Sequence, residues 1–212
     1  MFDIEYKGGN CVVLNTKNTR LVVDPNLTVV GLKPVPTKSS VVLATEERFL
    51  TDDDEVRLKI DGPGEYEIGD VSIKGVPAQR HLDTSADEKL STAYRIGVGD
   101  VRIAVLGNID FKLSEDQLEE IGVVDILILP VGGGGYTLDA TSAATIVRQI
   151  EPHVVIPVHY SDSALKYEVP QDNLDVFVSE LSVPIEESGA KFKIKAASSV
   201  PANLTIVKLD RS

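Results

Sequence analysis

The sequence predicts an α/β protein in which two β-sheets pack face to face and helices cover their outer surfaces. The first hundred residues contain short segments rich in β-branched residues and bounded by Gly, Pro, Asn or Asp, which is typical of strands joined by tight turns. After residue 110, helical and strand patterns alternate. Strands followed by a mixture of strands and helices favour a layered arrangement of sheets and helices.

The predicted strands differ in character between the two halves of the chain. Hairpin turns are expected at 8–10 and 97–100, where Gly, Asn and Asp tolerate positive φ angles. The continuous apolar runs at 125–130 and 154–158 are typical of strands buried on both faces. The other predicted strands are 20–24, 40–44, 71–75, 93–97, 101–106, 192–194 and 204–209.

Three helices are predicted in the second half. Ser114 and Gln117 have the spacing of a capping box, and Gly122 is placed to end that short helix. A second helix should follow Asp139 and stop before Pro152, because small and apolar residues recur between them at helical spacing. A third apolar stripe, at the spacing i, i+3, i+4, i+7, begins at residue 174.

Composition limits the classes of function. The 212 residues include 21 Lys and Arg against 33 Asp and Glu, a net charge of −12, which argues against a nucleic-acid partner. A single cysteine excludes an intrachain disulfide and a cysteine-rich zinc site. The N-terminus lacks a signal-peptide pattern, and no apolar run approaches the roughly 20 residues of a membrane span. We therefore expect one domain, 1–212, that is cytoplasmic and contacts no membrane.

Several local features permit both a chemical and a structural interpretation. Cys11 is either a nucleophile or, as its apolar neighbours favour, a core residue. The glycines at 132–135 follow a strand, as in a phosphate-binding loop, but lack the Lys and Ser/Thr of that motif, so a flexible turn is favoured. The acidic run 52–55 is expected to be a solvated loop rather than a cation site, and His153 a surface residue. His159, just after a predicted strand, stands where functional side chains gather in α/β proteins.

Six segments together resemble the metallo-β-lactamase superfamily, in the branch of the ascorbate-phosphate lactonase. The segments, in the order of that family, are YKGGNC (6–11), LVVDP (21–25), GPGEYEIG (62–69), LGN (106–108), LPVGG with YTLD (129–133 and 136–139) and VIPVHY (155–160). The resemblance implies an αββα four-layer sandwich, with two mixed sheets flanked by helices. It also implies a zinc or manganese pair at the edge of the sheets.

The metal-binding signature of that family is altered in this chain. The family has His-x-His-x-Asp-His after a strand, and the corresponding positions here are Glu46, Arg48, Leu50 and Thr51. Arginine carries a fixed positive charge and leucine has no donor atom, and of the four positions only Glu46 could bind a metal. The resemblance therefore implies that the main metal-binding loop has been lost.

The remaining ligand positions are only partly retained. Asn108 stands where the family has a bridging aspartate, and Gly9 stands where an early histidine is often found. An amide cannot supply the negative charge that helps to hold two cations. His159 matches the final ligand of the family, and His81 corresponds to the middle ligand with its spacing shifted by one residue.

These substitutions predict that the protein holds no metal or cofactor. They also predict a non-catalytic, regulatory or scaffold role in which the protein binds a small molecule or another protein. We expect Arg48 to fill the vacated metal cavity, paired with Glu46 or another acid near His159 and Asn108; the alternative places it in solvent. The alternative function is a hydrolase for a lactone or phosphoester, with one zinc or manganese ion on His81, His159 and Glu46. Whether the chain forms a homo-oligomer stays open.

Overall fold

Two mixed β-sheets face each other in the computed structural model, which describes residues 1–81 and 90–212. The strands are β1 (Phe2–Gly8), β2 (Cys11–Asn15), β3 (Arg20–Val23), β4 (Val41–Leu43), β5 (Leu58–Ile60), β6 (Gly64–Ile68), β7 (Val71–Ala78), β8 (Ser91–Val98), β9 (Val101–Val105), β10 (Ile126–Pro130), β11 (Val154–Val158), β12 (Ile185–Glu187), β13 (Phe192–Ile194) and β14 (Thr205–Lys208). The helices are α1 (Glu115–Ile121), α2 (Ala140–Ile150) and α3 (Leu174–Leu181).

Both sheets combine antiparallel and parallel pairs. Among the described residues, the six-stranded sheet has the order β13-β1-β2-β3-β4-β5, and the eight-stranded sheet has the order β12-β14-β11-β10-β9-β8-β7-β6. Strands β3, β4 and β5 are parallel in the first sheet, as are β9, β10, β11 and β14 in the second. The carboxyl ends of several parallel strands therefore meet at one edge of each sheet.

Three apolar layers hold the sheets and helices together. The central layer lies between the sheets and includes Ile4, Leu14 and Ile96. The outer face of the eight-stranded sheet packs against α1, α2 and α3, with Phe177 fully buried in that layer. The outer face of the six-stranded sheet is covered by a 3₁₀ turn, Leu27–Val30, and by neighbouring loops. The two facing sheets form the αββα sandwich that the resemblance implied, with α1, α2 and α3 on one outer face and the 3₁₀ turn on the other.

The local predictions are largely confirmed. The capping box of α1 is present, with the Ser114 hydroxyl accepting from Gln117 N and the Gln117 side chain accepting from Ser114 N. Helix α2 begins after Asp139, whose carboxylate accepts from Ser142 N. Cys11 is a buried core residue.

Three strands, β5, β6 and β12, were not predicted from the sequence. Strands β5 and β12 have only three residues each, and β6 contains Gly and two exposed Glu. No helix in the described ranges is long and apolar enough to cross a membrane.

The glycine-rich segment after β10 is a turn. Helix α2 begins only at Ala140, so the glycines at 132–135 do not form its first turn. A Cβ atom on Gly132 would collide with the backbone oxygen of His159, and one on Gly134 would lie 2.5 Å from Pro170 O. The glycines are therefore required because two other backbone segments cross this turn at close range.

We expect Gly132→Ala to destabilise the fold by about 3 kcal/mol, since the added methyl group meets backbone that cannot move aside. Gly62→Ala is the matched control, because a Cβ there has no neighbour within 4 Å. The control should change stability by less than about 0.5 kcal/mol. Urea denaturation of both variants measures the difference, and equal stabilities would contradict this account of the turn.

Candidate functional site

The candidate site lies at the edge where strands of the two sheets end. Asp24 follows β3, Glu46 follows the end of β4, Asn108 follows β9 and His159 follows β11. Carboxyl ends of parallel strands are where α/β proteins place functional side chains. The topology thus brings together residues that are far apart in sequence.

The loop after β4 is held in place by both sheets. The Asp24 carboxylate accepts hydrogen bonds from Thr45 N and Thr45 Oγ1, each at 2.7 Å. From the opposite sheet, Thr92 N and Ser91 Oγ donate to Thr45 O at 2.9 and 3.1 Å. Because these bonds fix Thr45 on both sides, the next residue, Glu46, enters the space between the sheets.

Glu46 is the centre of a buried polar cluster. Asn108 Nδ2 donates to Glu46 Oε1 at 3.1 Å, and Arg48 Nη2 donates to the same oxygen at 3.2 Å. Arg48 Nε and Arg80 Nη1 lie 3.1 and 3.7 Å from Glu46 Oε2. Asn10 Nδ2 donates to Asn108 Oδ1 at 3.0 Å. We call these five residues the Glu46 network.

Arg48 lies inside the cavity and not in bulk solvent. Its guanidinium stacks over Phe49 and Tyr136, with the central carbon 4.7 and 4.9 Å from the two ring centroids. The expected pairing with Glu46 is present, and Asn108 shares that carboxylate. Tyr136 connects Arg48 to His159. Its ring contacts the guanidinium and also stacks on the imidazole, with the two ring centroids 5.8 Å apart.

His159 is buried and neutral. Its φ angle of 50° is uncommon for a residue other than glycine, although histidine is among the residues enriched there. Burial lowers the pKa of His159 to about 4. Its Nδ1 lies 3.1 Å from Gln171 Oε1, while Gln171 Nε2 donates to Val169 O. The amide oxygen accepts from Nδ1–H, so Nε2 is the acceptor atom of the ring.

His81 enters the site through its backbone. Its N–H donates to Asn108 O at 2.9 Å, while its Nδ1 is buried without a hydrogen-bond partner within 1–81 and 90–212. The structure thus brings Glu46, Arg48 and Asn108 into direct contact, and it leaves the imidazole of His81 outside that network.

The donor set does not fit the metal pair that the resemblance implied. Both oxygens of Glu46 already face guanidinium or amide N–H groups, and a dication beside Arg48 would meet a fixed positive charge. His159 offers only Nε2 as a donor atom to a metal, because its Nδ1 contacts Gln171. Among the described residues, no three His, Cys, Asp or Glu side chains form a cluster suited to a metal ion. The set His81, His159 and Glu46 is accordingly not assembled.

Sequence reasoning missed several residues of the site. Asn10 and Tyr136 lie in two of the six family-like segments, but no local pattern indicates that they belong to the site. Arg80 directly precedes His81, and nothing in its spacing marks it as a partner of Glu46. Gln171 lies outside the six segments, and only the fold shows that it contacts His159.

Comparisons with known proteins agree with this architecture. Residues 3–159 match the family model described as the β-lactamase superfamily domain. A UPF0173 protein of Pyrococcus abyssi is 30% identical over 132 residues, which cover 58% of this chain and 57% of that protein. A UPF0173 metal-dependent hydrolase of Archaeoglobus fulgidus is 24% identical over 131 residues, covering 59% and 56%. The chain thus spans less than two thirds of the length of these curated relatives.

Solved structures share the whole fold. A proposed Zn-dependent hydrolase of the metallo-β-lactamase superfamily from Thermotoga maritima has a TM-score of 0.77 and 24% identity, with 99% of both chains covered. Igni18, a metallo hydrolase from Ignicoccus hospitalis, has a TM-score of 0.66 and 18% identity, with 92% of this chain and 99% of that chain covered. At these identities the likeness concerns the fold alone.

The buried carboxyl of Asp24 generates a prediction about pH. Burial raises its pKa to about 7 from the usual 3.8, so the folded state holds this proton more tightly than the unfolded state. The resulting contribution to stability is complete below about pH 4 and is lost as the pH rises to about 7. Each unit between the two pKa values corresponds to about 1.4 kcal/mol.

Asp24→Asn keeps an oxygen acceptor for Thr45 N–H and removes this titration. We expect the unfolding free energy of the wild type, relative to the variant, to fall between pH 4 and pH 7. Urea denaturation across pH 4 to 8 measures both proteins, and other acidic groups cancel in the difference. A relative stability that rises with pH would show that the Thr45 bonds keep Asp24 ionised.

Proposed function

The chain belongs to the β-lactamase superfamily domain family, and we propose that it binds a small anion without catalysis where that family holds its metals. The observation that carries the proposal is the placement of the Arg48 guanidinium in the cavity, in contact with the carboxylate that replaces the first histidine. In this proposal the Arg48 guanidinium takes the place of the metal ions that the family binds from solution.

The exposure of the charged groups in the cavity favours an anion. A cleft of about 230 Å³, including its open mouth, is lined by Glu46, Arg48, Arg80, Asn108 and Tyr136. Both guanidinium groups lie within 4 Å of the Glu46 carboxylate. The side chains of Arg48 and Arg80 are 34% and 35% exposed, whereas that of Glu46 is 5% exposed. A solute therefore meets the cations first.

The geometry of Arg48 leaves donors for a ligand. Its hydrogen bond to Glu46 uses Nη2, and its Nε lies 3.1 Å from the other carboxylate oxygen. A guanidinium has five N–H donors in a rigid plane, and this fork suits a carboxylate or phosphate that binds through two oxygens. The stacking of Arg48 between Phe49 and Tyr136 fixes that plane before a ligand arrives. Such preorganisation lowers the entropic cost of binding.

A second candidate function is supported by the names of the relatives. The protein of Archaeoglobus fulgidus is named a metal-dependent hydrolase, which favours a hydrolytic reaction that depends on a metal. The form of this function that the sequence resemblance implies is hydrolysis of a lactone or phosphoester with one zinc or manganese ion. For this chain, that function requires Glu46, His81 and His159 to act as ligands. Before Glu46 could bind a metal, its contacts with Arg48 would have to break. Elemental analysis for bound metal distinguishes the hydrolase from the anion-binding protein.

We predict opposite effects from two substitutions in the Glu46 network. Arg48→Gln should weaken the binding of inorganic phosphate at least about tenfold, because a charge-assisted hydrogen bond contributes about 1.5–3 kcal/mol. Glu46→Gln should strengthen phosphate binding several-fold, since it removes the negative charge and keeps an oxygen acceptor for Asn108. Isothermal titration calorimetry measures both affinities.

Arg57→Gln is the matched control, because Arg57 is exposed and its loss changes the net charge by the same amount. Its phosphate affinity should equal that of the wild type. If the Arg48→Gln variant does not fold, the phosphate affinity of Glu46→Gln still tests the anion site. Equal phosphate affinities of the wild type and Glu46→Gln, or an equal loss in Arg57→Gln, would contradict the anion site.

We also predict that protein purified without chelators contains well under one zinc or manganese ion per chain. It should show no metal-dependent lactonase or phosphodiesterase activity, because metal activation of water contributes several kcal/mol of transition-state stabilisation. Elemental analysis and activity assays with added manganese test these points. Activity that disappears in both Glu46→Ala and His159→Ala would support the mononuclear hydrolase instead.

A further inference from the structure

A second cavity lies next to the anion site and differs from it in chemistry. It has a volume of about 410 Å³ including its open mouth. Its walls are mostly apolar and aromatic, and its polar lining residues are Asn10, Asp24, Asn26, His159, Glu168 and Gln171. The walls include Leu27, Val30, Phe49, Tyr136, Tyr167 and Val169.

Asn10 lines this cavity and carries an unused acceptor. Its Nδ2 donates to Asn108 Oδ1 in the Glu46 network. Its Oδ1 is buried and has no hydrogen-bond partner within the described parts of the chain, although Asn10 is only 5% exposed. A buried acceptor without a donor costs about 1–3 kcal/mol, so a donor from a bound molecule would recover that free energy.

His159 supplies a second acceptor to the same cavity. The ring lines the cavity between Tyr136 and Tyr167, at centroid distances of 5.8 and 4.7 Å. Because Gln171 accepts from Nδ1–H, the tautomer leaves the lone pair on Nε2. The polar part of the cavity thus presents acceptors, whereas the neighbouring anion site presents donors.

We propose that this second cavity binds the apolar, donor-bearing part of the same small anion, with a hydroxyl group donating to Asn10 or His159. This inference rests on the proposed function and names the class of ligand: a small carboxylate or phosphate ester with a branched apolar body and a hydroxyl. Tyr136 and Arg48 connect the two sites, because Tyr136 lines both cavities and Arg48 stacks on Tyr136 and on Phe49.

Three probes separate the two parts of the ligand. Inorganic phosphate tests the anion site alone, 3-methylbutanoate adds an apolar body, and 2-hydroxy-3-methylbutanoate adds the hydroxyl. For the wild type, calorimetric titration should show that the hydroxy acid binds about tenfold more tightly than 3-methylbutanoate. This ratio corresponds to one hydrogen bond with a buried acceptor.

Two variants and a control test whether the hydroxyl group and the apolar body bind in the second cavity. Asn10→Leu removes the acceptor and should reduce the tenfold advantage of the hydroxy acid. Val169→Phe adds bulk at a half-buried wall of the cavity and should weaken both carboxylates while phosphate binding is retained, which also shows that the variant is folded. Val176→Phe makes the same change on the exposed face of α3 and should match the wild type for all probes.

The outcomes distinguish this inference from the proposed function. If phosphate binds through Arg48 but the hydroxy acid has no advantage, or keeps its advantage in Val169→Phe, the second cavity is not part of the site. Its acceptors would then be solvated by water, and the anion site would stand. If phosphate and both carboxylates fail to bind to the wild type, the proposed function fails together with this extension.

Discussion

The site depends on the position of Thr45, which both sheets hold through hydrogen bonds. Asp24 binds its N–H and hydroxyl from the six-stranded sheet, while Ser91 and Thr92 bind its carbonyl from the eight-stranded sheet. Gly107 makes this contact possible, because a Cβ atom there would lie 2.6 Å from Thr45 Cβ. With Thr45 fixed, the side chain of Glu46 lies between the sheets and is 5% exposed. The position of Thr45 therefore favours burial of the Glu46 carboxylate.

Burial of a carboxylate at that position determines much of the surrounding chemistry. An isolated buried charge is costly, and partners with hydrogen-bonding groups offset the cost. In this chain the partners are the guanidinium of Arg48 and the amide of Asn108. In the family that the sequence resembles, metal ions neutralise the acidic ligands in this region. The residues at these positions are consistent with one another, because the cationic side chain of Arg48 and the donating amide of Asn108 both contact the buried carboxylate.

The fold and part of the site could be predicted from the sequence. Buried strands such as β10 and β11, and the capping box of α1, have local patterns that reveal them. Comparison of residue types at the metal-ligand positions predicted that Arg48 would meet Glu46, because both positions point toward the same cavity in the family. The contact of Gln171 with His159 and the unused acceptor of Asn10 could not be predicted. They depend on how separate loops cross in three dimensions, which no local spacing records.

The net charge of −12 and an anion site are compatible, because the two act over different distances. A nucleic acid extends along the surface, so its many phosphates meet the repulsion of the whole protein. A small anion inside the cleft experiences mainly charges within a few ångströms, since mobile ions screen exposed charges beyond about 8 Å at physiological ionic strength. Within that distance the guanidinium of Arg48 faces the solute, and the carboxylate of Glu46 is buried behind it. Under the proposed function, the acidic surface disfavours extended polyanions, while the cleft admits a small anion beside Tyr136.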